Sequence, residues 1–115
     1  MTYPRRGEIY WVKLDPTIGA EIAKTRPALI VSNDVGNQYA DRVIVAPITS
    51  SQVARVYPFE AKLEAGEGGV TQPSKVLLDQ IRTVDKSRLG NRIGMLAAVK
   101  MEEVNRAIRL SLAVG

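Results

Sequence analysis

The sequence contains neither cysteine nor histidine. Without cysteine it has no disulfide bonds, thiolate nucleophiles or cysteine-based metal sites, and without histidine it has no imidazole ligands and lacks the usual general base at neutral pH. Any chemistry must therefore use the side chains of Asp, Glu, Lys, Arg, Tyr, Ser or Thr. Hydrolysis here would depend on positioned charges and hydroxyl groups, and we expect neither a metal site nor a cofactor.

Long apolar runs are missing as well. The run at residues 43–46 is far too short to span a bilayer. The basic start of the chain leads directly into a strand pattern, without the apolar stretch and cleavage site of a signal peptide. We therefore expect a cytoplasmic protein with no membrane contact. The 115 residues suffice for one modest core, which predicts a single domain over residues 1–115.

The charge balance is mildly basic. Sixteen Lys and Arg residues against twelve Asp and Glu residues give a formal net charge of +4. A positive surface favours an anionic partner, but the basic residues are dispersed along the chain. They fit either a nucleic-acid-binding surface or an ordinary solvated exterior.

Five segments have the composition or the alternation that is typical of strands. They are residues 8–14, 28–32, 42–49, 57–63 and 74–81. Pro47 predicts a bend or bulge in the third of them. Turns are expected at residues 33–37 and 66–69, the latter a flexible one, and a short helical turn or connector at residues 84–89.

The end of the sequence changes to helical spacing. Met101, Val104, Ile108 and Leu112 recur on one side of a helix predicted over residues 98–112. Several short strands closed by one helix predict a β-rich α+β fold. Its sheet would be a small, strongly bent barrel with the helix packed on it.

The loop at residues 15–27 holds the most reactive chemistry, because it is polar and lies between two strongly apolar segments. Glu21 and Arg26 are its candidate functional residues. Arg26 lies where the loop enters an apolar strand, so we expect its guanidinium to be partly desolvated. Glu21 could accept a proton. Alternatively, Arg26 is a structural residue paired with Glu21 or Asp15, and Glu21 is simply a solvated carboxylate.

Polar residues at two strand ends are further candidates. The hydroxyl groups of Thr49 and Ser50 could donate to a phosphate oxygen, or could serve only in a turn. The amide of Gln80, beside Asp79, could read the edge of a base, or could only bond to a loop. Trp11 could stack on a base, as could its neighbour Tyr10, although alternation along a strand turns one of such a pair towards the core.

Six sequence blocks, taken in order, resemble the MazF/PemK family, the sequence-specific endoribonucleases of prokaryotic toxin–antitoxin systems. The blocks are RGEIYWV at residues 6–12, LDPT at 14–17, GAE at 19–21, TRPALIV at 25–31, VAPITS at 45–50 and DQIRTVD at 79–85. One block alone would be weak evidence. Six blocks in the family's order, spread over nearly the whole chain, form a specific match.

The resemblance implies an SH3-like barrel with a C-terminal helix, the fold of the CcdB-type gyrase poisons. It also implies a homodimer that a small antitoxin neutralises. In this family the catalytic pair would be Arg26 and Thr49, with Glu21 as a substrate-site residue. The family's RNA-binding groove would include Ser50, Asp79 and Gln80, and the loop adds Thr17 and Lys24 as RNA-binding candidates.

The sequence also departs from the family pattern. Ala20 stands where some plasmid-encoded members have His, and Leu77 replaces an Arg that those members place two residues before the aspartate of the Asp-Gln pair. Mechanisms that use those side chains cannot operate here. Lys24 stands where many relatives have Gly, which predicts an altered loop or cut-site preference.

The resemblance therefore implies a metal-independent endoribonuclease that cuts single-stranded RNA at a fixed sequence and leaves 2′,3′-cyclic phosphate and 5′-hydroxyl ends. Two alternatives remain from the residues alone. One is a non-catalytic toxin that binds a protein such as gyrase, and the other is an RNA-binding SH3-like module without catalysis. The Arg26 and Thr49 pair favours the enzyme.

Overall fold

The computed structural model describes residues 2–15, 18–19 and 24–115. In this part of the chain, seven strands and two α-helices follow one another. The strands are β1 (Glu8–Lys13), β2 (Thr25–Ile30), β3 (Arg42–Thr49), β4 (Glu60–Leu63), β5 (Ser74–Leu77), β6 (Arg82–Asp85) and β7 (Leu89–Met95), and the helices are α1 (Asp34–Tyr39) and α2 (Ala98–Leu112). Short 3-10 turns at Glu67–Gly69, Leu78–Gln80 and Lys86–Arg88 connect some of them.

Every strand pair in the described sheet is antiparallel, in the order β4-β5-β3-β2-β1-β7, and β6 also pairs with β3. The third strand organises the sheet. Its first half pairs with β6, and Ile48 and Thr49 pair with β5. Pro47, predicted to mark a bend, lies where this change of partner occurs and cannot donate a backbone hydrogen bond.

Two clusters of buried side chains form the core. One contains Val12, Ala28, Ile30 and Val45 between the first strands. The other joins β3, β4 and β5 to α2, which buries Val104 and Ala107 and half-buries Met101 and Ile108. The predicted apolar face of α2 is therefore confirmed over most of its length, but Leu112, in the last turn, is 50% exposed.

The predicted class is confirmed, since the described chain is a curved, mostly antiparallel sheet closed by a C-terminal helix. Several local predictions were wrong. The second strand begins three residues earlier than expected, so that Arg26 and Pro27 belong to β2. The expected turn after it contains helix α1. The short helical turn expected at residues 84–89 is confirmed at Lys86–Arg88, but it is shorter than predicted because β6 extends to Asp85 and β7 begins at Leu89.

The glycine-rich segment at residues 66–69 packs tightly against β7. Gly68 has a φ of 60°, and a Cβ atom there would lie 2.5 Å from Cδ1 of Ile9. A Cβ atom on Gly94 of β7 would overlap the carbonyl group of Gly68. The two backbones approach each other only because both residues lack side chains. This contact places residues 69–72 beside β7, where they help to line the cavity described below.

No helix within the described ranges is long and apolar enough to cross a membrane.

Candidate active site

A cavity of about 400 Å³ opens between the ends of β2 and β3, the side of β7 and the segment after Gly68. Two arginines, a half-exposed tryptophan and several polar side chains line it. The lining residues are Trp11, Arg26, Pro27, Ile48, Ser50, Gly69, Val70, Thr71, Gln72, Ser74, Arg92 and Ile93. The cavity therefore combines positive charge, hydrogen-bonding groups and an aromatic surface, which suits a negatively charged ligand with a planar ring.

Arg26 enters this cavity from β2. It lies opposite Val12 of β1 and is partly buried, as the sequence predicts for a residue at the edge of an apolar strand. The register of β2 and β3 pairs Ala28 with Pro47. The observed pairing of these two antiparallel strands ends there, and Arg26 and Thr49 each lie two residues further along their own strand. The two predicted residues therefore belong to the same end of the sheet.

Thr49 ends β3 and is only 8% exposed. Its hydroxyl oxygen accepts a hydrogen bond from the backbone N–H of Ser51, with an N···O distance of 3.1 Å. That bond leaves the hydroxyl hydrogen of Thr49 available to donate. Ile48 and Ser50, its neighbours in the chain, line the cavity, whereas Thr49 is not among the lining residues. Thr49 therefore borders the cavity from within the end of the sheet.

The other predicted site residues are more dispersed. Lys24 is exposed with a φ of 71°, and its N–H donates to Oδ1 of Asp15. Asp79 and Gln80 lie in the 3-10 turn after β5 and do not line this cavity. Thr17 and Glu21 lie outside the described residues. Of the predicted residues, Arg26 and Ser50 line the same cavity, and Thr49 lies in the chain between the lining residues Ile48 and Ser50.

Arg92 is a cavity residue that the sequence reasoning missed. It lies on β7 opposite Tyr10, and its Nε donates to Oε2 of Glu8 over 2.5 Å. Glu8 is 8% exposed, and its other oxygen accepts hydrogen bonds from the N–H of Arg5 and the hydroxyl of Tyr10. This buried carboxylate fixes one edge of the Arg92 guanidinium beside the cavity.

The contact with Glu8 also affects the pKa of Tyr10. Partial burial raises the pKa of Tyr10, and the negative charge of Glu8 and its hydrogen bond raise it further. The phenol therefore stays protonated at neutral pH and donates to Glu8. Within the described ranges, no three acidic side chains converge as a metal-binding cluster would.

Comparison with known proteins places the chain in a family. The model of a family described as "PemK-like, MazF-like toxin of type II toxin-antitoxin system" matches residues 5–112. The chain is 41% identical over 110 residues to Endoribonuclease MazF of Staphylococcus saprophyticus, covering 96% of this chain and 92% of the relative. It is 37% identical over 110 residues to Endoribonuclease EndoA of Bacillus subtilis, covering 96% and 95%.

A solved structure, an endoribonuclease in complex with its cognate antitoxin from a mycobacterial species, superposes with a TM-score of 0.80 at 26% identity, covering 97% of each chain. This similarity confirms the fold that the sequence resemblance implied. The family match extends over nearly the whole chain and includes both strands that carry Arg26 and Thr49. The chain therefore belongs to the PemK-like, MazF-like toxins of type II toxin–antitoxin systems.

Proposed function

We propose that this toxin cuts single-stranded RNA at a short fixed sequence without a metal ion, leaving 2′,3′-cyclic phosphate and 5′-hydroxyl ends. Its activity is that of an endoribonuclease, like that of the two relatives named above. The observation that supports the mechanism best is the position of Arg26, which lines the same cavity as Ser50, the residue that follows Thr49 in the chain. Single strands are preferred because a duplex hides base edges and restrains the backbone.

The substrate supplies the nucleophile in this mechanism. The 2′-hydroxyl attacks the adjacent phosphorus, a new O2′–P bond forms, and the bond to the leaving 5′-oxygen breaks. Negative charge builds up on the non-bridging oxygens during the attack. The guanidinium of Arg26 donates hydrogen bonds to those oxygens, and the hydroxyl of Thr49 donates another.

Two proton transfers complete the reaction. A guanidinium is a poor general base, because it keeps its proton and its charge at neutral pH. We therefore assign the removal of the 2′-proton to the carboxylate of Glu21, and protonation of the leaving 5′-oxygen to Arg26. Thr17, Lys24, Ser50, Asp79 and Gln80 are proposed to bind the flanking nucleotides.

Digestion of a long RNA in excess chelator tests the proposal. Pure protein should give discrete fragments at one recurring sequence, with unchanged rates when chelator is added. Cleavage that stops in chelator and returns with a divalent ion would exclude the mechanism. Binding of RNA without any fragments would favour a non-catalytic RNA-binding module, and the absence of both would favour a protein-directed toxin.

Arg92 should contribute to RNA binding rather than to the chemical step. We expect Arg92→Gln to raise KM about tenfold, since a hydrogen bond to a charged group contributes about 1.5–3 kcal/mol. The kcat should change little. Because one phosphate contact on a single strand contributes about 0.7 to the slope of log affinity against log salt, that slope should fall by about this amount.

Arg109→Gln is the matched control for this prediction, since Arg109 is exposed on α2 away from the cavity and carries the same charge. Steady-state kinetics at several salt concentrations measure both variants. An equal loss in both would mean that net charge alone, and not the position of Arg92, determines affinity.

We further propose that the toxin acts as a homodimer in the cytoplasm, where its messenger RNA substrates occur. Apolar side chains exposed on α2 support a second copy as partner, since Val99 is 72% exposed, Leu110 56% and Leu112 50%. A chain of 115 residues buries a smaller fraction of its surface than a larger domain does, and pairing with a second copy would cover these side chains. Light scattering at micromolar concentration should give the mass of a dimer. A monomer that cleaves RNA would show that the dimer is dispensable.

A cognate antitoxin is the third proposed partner. An acidic segment would be attracted to the cavity by Arg26 and Arg92 and to the adjoining loop by Lys24, and it would block RNA by occupying the same groove. Inhibition should therefore weaken as salt rises, because screening reduces the attraction between exposed charges. Titration of cleavage with antitoxin at low and high salt measures this. Inhibition that does not change with salt would indicate an apolar interface instead.

A further inference from the structure

Lys75 and Glu60 form a buried ion pair beside the site. Nζ of Lys75 lies 2.9 Å from Oε1 of Glu60, and the two side chains are 5% and 7% exposed. Nζ also donates to the backbone carbonyl of Arg55 over 2.9 Å. The positive charge of the ammonium is thus balanced by Glu60, and the group is hydrogen-bonded. Removing both charges from water nevertheless costs free energy.

The pair holds the segment between β3 and β4, residues 50–59, which contains no regular strand or helix. Lys75 binds the segment at the carbonyl of Arg55, while the Glu60 oxygen that it contacts also accepts from the N–H of Tyr57. The rings of Tyr57 and Phe59 stack with centroids 5.3 Å apart. The Lys75–Glu60 pair, called the anchor below, therefore contacts this segment at Arg55 and at Tyr57.

The same segment orients the hydroxyl proposed for catalysis. Ser51, near its start, donates its backbone N–H to Oγ1 of Thr49. Thr49 lies directly opposite Lys75 in the β3–β5 pair, so the two side chains share a face of the sheet. The anchor is therefore related to Thr49 in two ways. Lys75 is the neighbour of Thr49 across the sheet, and residues 51–55 connect the two along the chain.

We propose that Lys75 is a positioning residue: together with Glu60 it holds residues 50–59 so that the Thr49 hydroxyl is aimed at the reacting phosphate. This inference depends on the proposed function for the role of Thr49. A buried ion pair often stabilises a fold no better than a well-packed apolar pair. A positioning role agrees with the contacts that join the pair to Arg55 and Tyr57 of this segment.

Lys75→Met tests the role of the ammonium. We expect the single-turnover rate constant at saturating enzyme to fall about a hundredfold, because a displacement of about 1 Å can cost that much. The RNA concentration at half-saturation should hardly change. Lys62→Met is the matched control, since Lys62 lies opposite Lys75 on β4 but forms only an exposed pair with Glu64. Its rate should equal that of the wild type.

The double variant Lys75→Met/Glu60→Leu separates positioning from folding, because it leaves no unpaired buried charge. It should keep the thermal midpoint of the wild type or exceed it, and still cleave slowly. Wild-type cleavage by this folded double variant would overturn the proposal and leave the pair a purely structural one.

Amide hydrogen exchange gives a readout that does not require cleavage. Exchange in residues 50–59 should be faster in the double variant than in the wild type and in Lys62→Met. Unchanged exchange refutes the anchor even if cleavage is slow. If the wild-type protein does not cleave RNA at all, the proposed function fails, while the exchange experiment still decides whether Lys75 and Glu60 hold the segment.

Discussion

Arg26→Ala is expected to abolish detectable cleavage of RNA. The variant lacks the guanidinium that stabilises the charge on the phosphorane and protonates the leaving oxygen. Removal of one such donor from a preorganised site raises the activation free energy by about 2.7–4 kcal/mol, and the lost proton transfer adds to this. Single-turnover kinetics on a short RNA with one cut site measure the loss.

The folding midpoint should hardly move, because Arg26 lines a cavity at the start of β2 and is only partly buried. Thermal unfolding of Arg26→Ala provides that control. Arg26→Lys keeps the charge but loses the planar pair of donors, so it should restore RNA binding more than cleavage. An Arg26→Ala protein that is unfolded would mean that the residue serves mainly in a structural contact.

Thr49→Ala should slow cleavage by a factor that corresponds to about 2.7–4 kcal/mol, the contribution of one donor to the developing oxyanion. Thr49→Ser retains a hydroxyl and should recover most of the rate. Thr49→Val replaces the hydroxyl with a methyl group of similar size and should resemble Thr49→Ala. Equal rates for Ser and Val variants would show that the side chain acts by packing and not by donation.

The hydrophobic pattern of the sequence correctly predicted the elements that have a clear local signal. The third strand and the C-terminal helix have the predicted bounds, residues 42–49 and 98–112. In the strand, residues 45–49 are buried on both faces, whereas Arg42 and Ile44 are exposed. In the helix, the apolar stripe from Met101 to Ile108 faces the second core cluster. Both patterns are local and therefore readable from the sequence.

Two elements were missed for different reasons. Strand β7 contains Gly90, Asn91 and Gly94, which are poor strand formers, and it forms because it pairs along β1 and packs on Gly68. Helix α1 did have a local signal. Its N-cap, Asn33, accepts from the N–H of Gly36, but the Asn, Asp and Gly content of the segment is equally typical of a turn.

Some site residues could likewise be predicted from the sequence, and others could not. The family blocks identified Arg26, Thr49 and Ser50, which the fold then places at one end of the sheet. Arg92 and Lys75 stand in no such block. Arg92 reaches the cavity only because β7 pairs with β1, and Lys75 meets Glu60 only because β4 and β5 form a hairpin. The roles proposed for both residues therefore depend on non-local pairing.

The central claim is that the RNA's own 2′-hydroxyl attacks the phosphate held by Arg26 and Thr49. The most direct test uses a short RNA with one mapped cut site, in which only the nucleotide that provides this hydroxyl is replaced by its 2′-deoxy form, with chelator present throughout. We predict that the substituted RNA binds with unchanged affinity but is not cut, while the unmodified RNA yields a 2′,3′-cyclic phosphate. Cleavage of the 2′-deoxy substrate would contradict the mechanism.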